Sequence, residues 1–182
     1  ALLQSFGGRL SNIDLQKYLF LYTETCENEK SYEFVPYKYG CFSFQSYADR
    51  RRFKDVGAIL GDDDWHLVDG EDYISQVSKE EQKKLTLFSN KFEKLKGDNL
   101  VRHIYEQYPY YAINSEIASR IMDEDGLAAI KKARPAKRKP VFYTIGYEGQ
   151  SFENYLNRLL LNNISVLCDV RKNPLSRKYG FS

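Results

Sequence analysis

Cysteine, histidine, tryptophan and methionine are scarce in this chain: three, two, one and one among 182 residues. Cys26, Cys41 and Cys168 include no C-x-x-C pair and their number is odd, which speaks against a disulfide framework or a zinc site and for free thiols in a reducing cytoplasm. His66 and His103 have no companion at metal-ligand spacing, so neither a structural metal nor a cofactor is expected. No apolar run approaches the roughly 20 residues of a membrane-crossing helix, and no charged-then-apolar leader opens the chain. Insertion and export are therefore not expected. One-sided charge is also missing: 27 Lys and Arg against 25 Asp and Glu leave a net +2, too little to imply nucleic acid without a local concentration.

What the chain does have is a high aromatic content, with fifteen Tyr and eleven Phe, beside an ordinary charged fraction, as in a folded protein. Ala1–Phe6 reads as the end of a short helix closed by Gly7 and Gly8. Ser11 opens a second helix, with Asp14 in its first turn and an apolar face of Leu15, Tyr18, Leu19 and Tyr22. Residues 33–39 read as extended or turning, because Pro36 breaks a helix and the aromatics favour a strand. A third helix is predicted over residues 44–56 and stopped by Gly57; it carries Arg50, Arg51, Arg52 and Lys54. An acidic turn, Gly61-Asp62-Asp63-Asp64, then separates two short β-like pieces, Ala58–Leu60 and Trp65–Val68. Helix, turn, helix and hairpin is the order of a winged helix, in which the basic third helix enters the major groove. Two features stand against that reading. Three aspartates would repel a phosphate backbone, and a basic helix face is often simply solvated.

Downstream, Ser78 and Glu81 form a capping box ahead of a helix striped by Leu85, Phe88, Phe92 and Leu95. Gly97 ends it and Asp98 caps the next, which runs through Leu100, Val101, Ile104 and Tyr105 to Pro109. That stripe suits a core or a homodimer seam, and Tyr108, Tyr110 and Tyr111 suit packing or base stacking. Ser115 is placed to cap a helix reaching Met122, and a last amphipathic piece starts at Gly126. Residues 131–140 (KKARPAKRKP) have no apolar period and include Lys137 and Arg138; they read as an extended basic linker able to follow a phosphate backbone.

Beyond the linker, residues 141–145 and 165–170 have the composition of strands covered on both faces. Between them Gly146 and Gly149 bracket a turn, and Ser151 is placed to cap a helix with Phe152, Tyr155, Leu156, Leu159 and Leu160 on one face. This is a β-α-β unit, whose ligands gather beyond the carboxyl ends of its strands. Gly146, Gly149, Ser151, Arg171, Ser176 and Arg177 would there form an anion-binding cleft at a helix N-terminus. Equally, the glycines only make a tight turn while Asp169 pairs with Arg171 or a nearby backbone group. In an enzyme acting on a phosphorylated or nucleic-acid substrate, Asp169 would be the base or a metal ligand and Arg171 would stabilise developing charge. No histidine and no nucleophile with an adjacent base accompany them, which weakens that reading.

TIGYEGQS at 144–151, followed by DVRKNPLSRKYGFS at 169–182, resembles the opening of the bacterial domain-of-unknown-function family four hundred and eighty-eight. Its members open with T-I-G-Y-x-G-x-S and carry D-V-R-x-N-P-x-S-R-K-x-G-F-S. The resemblance implies that Gly146, Gly149, Ser151, Asp169, Arg171, Pro174, Ser176 and Arg177 stand at motif positions, and that an α/β domain begins here whose further strands follow in the family. The D-V-R strand ending is also similar to the rhodanese fold, but no cysteine follows where a sulfur-carrying nucleophile would stand. YEFVPYKYGCFS at 32–43, within 11–68, resembles the helical Panacea domain found with bacterial toxin–antitoxin genes, which implies a regulatory or defence setting.

The expectation is thus an α+β protein: a mainly helical, winged-helix-like region over 1–130, a basic linker over 131–140, and the start of an incomplete α/β domain over 141–182. Two parallel strands and one helix make too small a unit to stand alone, so a longer chain or a second subunit is expected to complete the sheet. DNA or another nucleic acid is the expected partner, contacted through Arg50, Arg51, Arg52, Lys54, Lys137 and Arg138.

Overall fold

The computed structural model describes residues 1–61, 63–136 and 141–181. The chain enters through a one-turn helix, α1 (Leu2–Ser5), and a short strand, β1 (Arg9–Ser11), before α2 (Asn12–Cys26). Ser11 caps α2 by accepting from the Asp14 amide at 3.0 Å. A hairpin of β2 (Val35–Tyr37) and β3 (Gly40–Phe42) leads into α3 (Phe44–Asp55), and β4 (Ile59–Leu60) and β5 (Asp64–Leu67) follow. Four helices come next, α4 (Lys79–Phe92), α5 (Gly97–Gln107), α6 (Ala118–Ile121) and α7 (Glu124–Ala133), with a 3-10 turn at Pro109–Ala112; α8 (Phe152–Leu161) lies in the C-terminal segment. The fold is accordingly α+β, and no described helix is long and apolar enough to cross a membrane.

β1, β5 and β4 form an antiparallel sheet in that order, with Leu10 opposite Trp65 and Ile59 opposite Leu67. β1 had no signal in the sequence, because three residues between a glycine pair and a helix cap cannot show alternation. The sheet, β3, α4 and α5 close around α2, which is buried along Leu15–Tyr18 and Phe20–Thr23, and α7 packs on α5 and the 3-10 turn. Phe20 meets Phe34, Tyr108 and Tyr111 edge-on at 5.2, 5.0 and 4.6 Å, so these tyrosines of the cluster pack against the core. Tyr18 stacks on Phe6 at 3.9 Å and donates to the Leu95 carbonyl at 2.6 Å, tying α1 and the α4–α5 turn to α2. Burial raises its hydroxyl to about 12. Each large apolar side chain placed in this way contributes about 1.5–3 kcal/mol.

Several local expectations shift. Ser78 caps α4, but Glu81 turns its carboxylate to the Tyr22 hydroxyl and leaves the capping box half made. Asp98 does not cap α5: it pairs with Arg120, while the Gly97 amide is taken by Asp14 of α2 at 2.9 Å. Ser115 accepts from the Tyr105 hydroxyl at 2.7 Å, and the helix expected after it is the single turn α6. α7 runs past residue 130 to Ala133.

The largest difference lies in the C-terminal segment. α8 forms as expected under its Ser151 cap, but residues 141–147 and 164–170 take no strand conformation. Phe142 is 89% exposed and Val170 88%, where a covered sheet would bury both. An isolated strand pair in water is marginal at best, and the described chain offers these segments no third strand.

Gly40 ends the β2–β3 turn at φ +93°, and a Cβ there would stand 2.6 Å from Tyr105 Cε1. Gly57 has a similar φ of +72° with open space around it. Gly57→Ala is expected to cost about 1–2 kcal/mol, the left-handed penalty alone, and Gly40→Ala at least roughly 3 kcal/mol. Urea unfolding midpoints measure the difference.

Candidate nucleic-acid interface

α3 starts at Ser43, whose hydroxyl caps the Ser46 amide, and its inward face is Ser46 and Arg50. Arg50, expected to contact nucleic acid, is buried: its Nη2 donates to the Asp64 carbonyl at 2.6 Å and the Gly61 carbonyl at 3.3 Å, and its guanidinium lies 5.5 Å from the Trp65 ring centre. It therefore holds the β4–β5 turn against α3. Four-residue spacing from Ser46 placed it on the buried face, a signal overridden by the run of three arginines.

The other cations of α3 lie elsewhere on the helix. Arg52 is exposed, with only a loose 3.9 Å approach to Asp49 one turn back. Arg51 is exposed on the helix but lies over the Tyr179 ring at 5.6 Å. Lys54 is half-buried and already engaged. Lys137 and Arg138 lie outside the described residues. Of the acidic turn, Asp64 is neutralised by Arg9 at 2.6 Å, which removes part of the expected repulsion.

In the C-terminal segment the structure brings the two motif loops together. Tyr147 stacks on Phe181 at 4.9 Å, Arg171 lies 5.1 Å from the Tyr147 ring centre, and Lys178 donates to the Tyr147 carbonyl at 2.9 Å. Arg171 itself is occupied. Its Nε and Nη2 grip the Asp169 carboxylate at 2.9 and 2.6 Å, and Nη1 donates to the Phe181 carbonyl at 3.0 Å. This paired arrangement draws the Asp169 carboxyl from the ordinary 3.8 down to about 2 and pushes Arg171 up. A carboxylate so acidic is a poor general base near neutral pH.

The remaining motif residues are spread around this pair. Gly149 has φ +71° and makes the turn before α8, Gly146 is exposed, and Arg177 is exposed. Ser176 Oγ accepts from the Lys178 amide at 3.1 Å. Ser151 caps α8 and donates to the Glu33 carboxylate, so an acidic group of the chain already faces that helix start. Among the described residues no group of three or more His, Cys, Asp or Glu could hold a metal ion.

Two contributions were invisible in the sequence. Glu153, in the first turn of α8, is buried, and its Oε1 accepts from the Gln45 amide at 2.8 Å and the Ser43 hydroxyl at 3.2 Å. Asn157, one turn on, donates to the Phe34 carbonyl at 2.7 Å and accepts from the Tyr110 hydroxyl at 3.0 Å. Their partners are far away in the chain, so no local pattern marks them. Beside them a cleft of about 240 Å³ runs between α8 and the 30–34 segment, lined by Glu24, Lys30, Glu33, Tyr111 and Asn154.

Comparison of the chain with protein-family models, curated proteins and solved structures finds no match.

Two outcomes check this geometry. Arg50→Ala leaves two carbonyls without their donor and is expected to lower stability by about 2–4 kcal/mol, against no more than about 0.5 kcal/mol for Arg52→Ala, in denaturant titrations. The Asp169 carboxyl, followed by NMR, should titrate near pH 2 and return toward 3.8 in Arg171→Gln. Because the folded pKa is the depressed one, whatever this pair adds to stability is present above pH 3.8 and lost as pH falls toward 2.

Proposed function

We propose that the protein associates with nucleic acid through α3, as a winged-helix-like reader, with the basic segment from Lys131 onward following the phosphate backbone. The observation that supports this most is the chain path. α1, β1, α2, α3 and the β4–β5 hairpin come in that order, with the separate β2–β3 hairpin inserted between α2 and α3, and the sheet order β1-β5-β4 sets α3 as the helix ahead of the β4–β5 hairpin. A groove-entering helix needs cations on its outer face, and Arg51 and Arg52 supply them. Arg50 serves instead as the strut that holds the hairpin in register with the helix. The C-terminal segment belongs to the same reading as an α/β unit whose strand-like pieces pair only when further strands lie beside them. The resemblances in 32–43 and 144–182 add a bacterial regulatory or defence setting.

The enzyme reading is the weaker one, since Asp169 and Arg171 satisfy each other. Labelled double-stranded DNA titrated with the full chain across a salt series tests the proposal. Binding should weaken steeply with salt, by about 0.9 log units per log unit of salt for each phosphate contacted. Arg51→Ala/Arg52→Ala should lower the affinity and reduce the slope by up to about 2. Affinity indifferent to both salt and this double substitution would remove α3 as the contact.

A further inference from the structure

The N-terminal end of α3 is already occupied by an anion of the chain itself. Gln45 lies in the first turn of this 12-residue helix, where backbone amides have no intrahelical acceptor and carry the positive end of the helix dipole. A phosphate of a bound duplex is a natural ligand for such an end. Here the Glu153 carboxylate sits on the Gln45 amide at 2.8 Å and the Ser43 hydroxyl at 3.2 Å, with the residue only 2% exposed.

A second, independent contact takes the neighbouring cation. Tyr179 lies against the Arg51 guanidinium at 5.6 Å, and Phe152 packs on Phe44 at 5.3 Å. At about 100° per residue, Phe44, Ala48, Arg51 and Asp55 form one stripe of α3, turned away from the Ser46 and Arg50 face that meets the core. Recognition helices contact base edges with their N-terminal residues; α8 lies against these, Phe44 and Gln45, while Tyr179 lies against Arg51 about two turns further along.

We propose that α8 and the Tyr179 segment form a self-inhibitory cover on α3, in which Glu153 stands in for a phosphate and is displaced when duplex DNA binds. The proposal rests on the nucleic-acid reading above and adds its regulation. The cover is built to release. The bonds from Ser43, Gln45 and Asn157 can all be replaced by water when α8 lifts, and a freed Glu153 regains hydration. The exposed Arg52 remains available for a first encounter with the phosphate backbone while α8 holds the start of the helix and Tyr179 lies against Arg51.

The full chain, Glu153→Ala and Tyr179→Ala are compared for binding to labelled duplex DNA by fluorescence anisotropy at one fixed salt concentration, with helical content checked by circular dichroism. Tyr179→Ala removes no buried hydrogen bond, so it carries the test even if Glu153→Ala folds poorly. Both variants should bind about tenfold tighter than the unmodified chain. Saturating DNA should also shift the Asn157 side-chain amide resonances in the unmodified chain, because the Phe34 carbonyl that accepts from them is left behind when α8 lifts. Equal or weaker binding by folded variants, with the unmodified chain still binding DNA, overturns the cover and leaves the nucleic-acid reading standing. Absence of binding by all three proteins overturns both.

Discussion

Ser43 is the joint on which the arrangement depends. Its amide donates to Gln16 Oε1 at 2.9 Å and its carbonyl accepts from Gln16 Nε2 at 3.3 Å, while its hydroxyl caps α3 and donates to Glu153. Two residues earlier in the same corner, β3 offers the Cys41 carbonyl to the buried Lys17 ammonium at 2.9 Å. Buried α2 can carry Gln16 and Lys17 only because this corner satisfies them, since each unmet buried group would cost about 1–3 kcal/mol. Burial lowers the Lys17 pKa and raises the Cys41 thiol to about 11. The same few residues thus seat the core helix, start α3 and receive α8.

From that joint α3 is divided along its length and around its circumference. Its buried face uses Arg50 as a clamp on the β4–β5 turn, with the guanidinium spent on two carbonyls and the Trp65 ring. Its outer face keeps Arg52 in water and sets Arg51 against Tyr179. Three consecutive arginines separated by about 100° on a helix cannot share a partner, so three different environments follow from helical geometry alone. Counting them as one basic patch overstates the charge offered to a phosphate backbone.

The C-terminal segment is held by side chains instead of a sheet. Phe181 is buried against Phe152, Tyr155 and Tyr147, and Gly180, at φ +84°, passes so close to Phe152 that a Cβ would stand 2.5 Å from its Cγ. This aromatic knot brings the 146–151 and 169–181 motifs side by side without pairing their flanking strand-like pieces. Arg171 and Asp169 then neutralise each other across two residues, the local pairing that competes with an anion pocket for the same guanidinium.

Helices with a cap and an apolar stripe were legible in the sequence: α2 behind Ser11, α3 behind Ser43, α4 behind Ser78 and α8 behind Ser151 all begin where local chemistry places them. The β4–β5 hairpin and the break before it were legible for the same reason, since glycine and β-branched residues act within a few positions. The site was legible only in outline. The charge of Arg50 is written in the sequence, but its burial depends on carbonyls of Gly61 and Asp64 that only the folded turn presents. Glu153 looks like an ordinary first-turn carboxylate until α8 meets α3, more than a hundred residues away in the chain. The strand composition of 141–145 and 165–170 is local too, but a strand needs a neighbour. The sequence by itself therefore determined where helices start and which residues are apolar, because those are short-range effects. Tertiary structure decided which charges are spent, which helix end is occupied and which strand-like segments stay unpaired, because each depends on partners brought together only by folding.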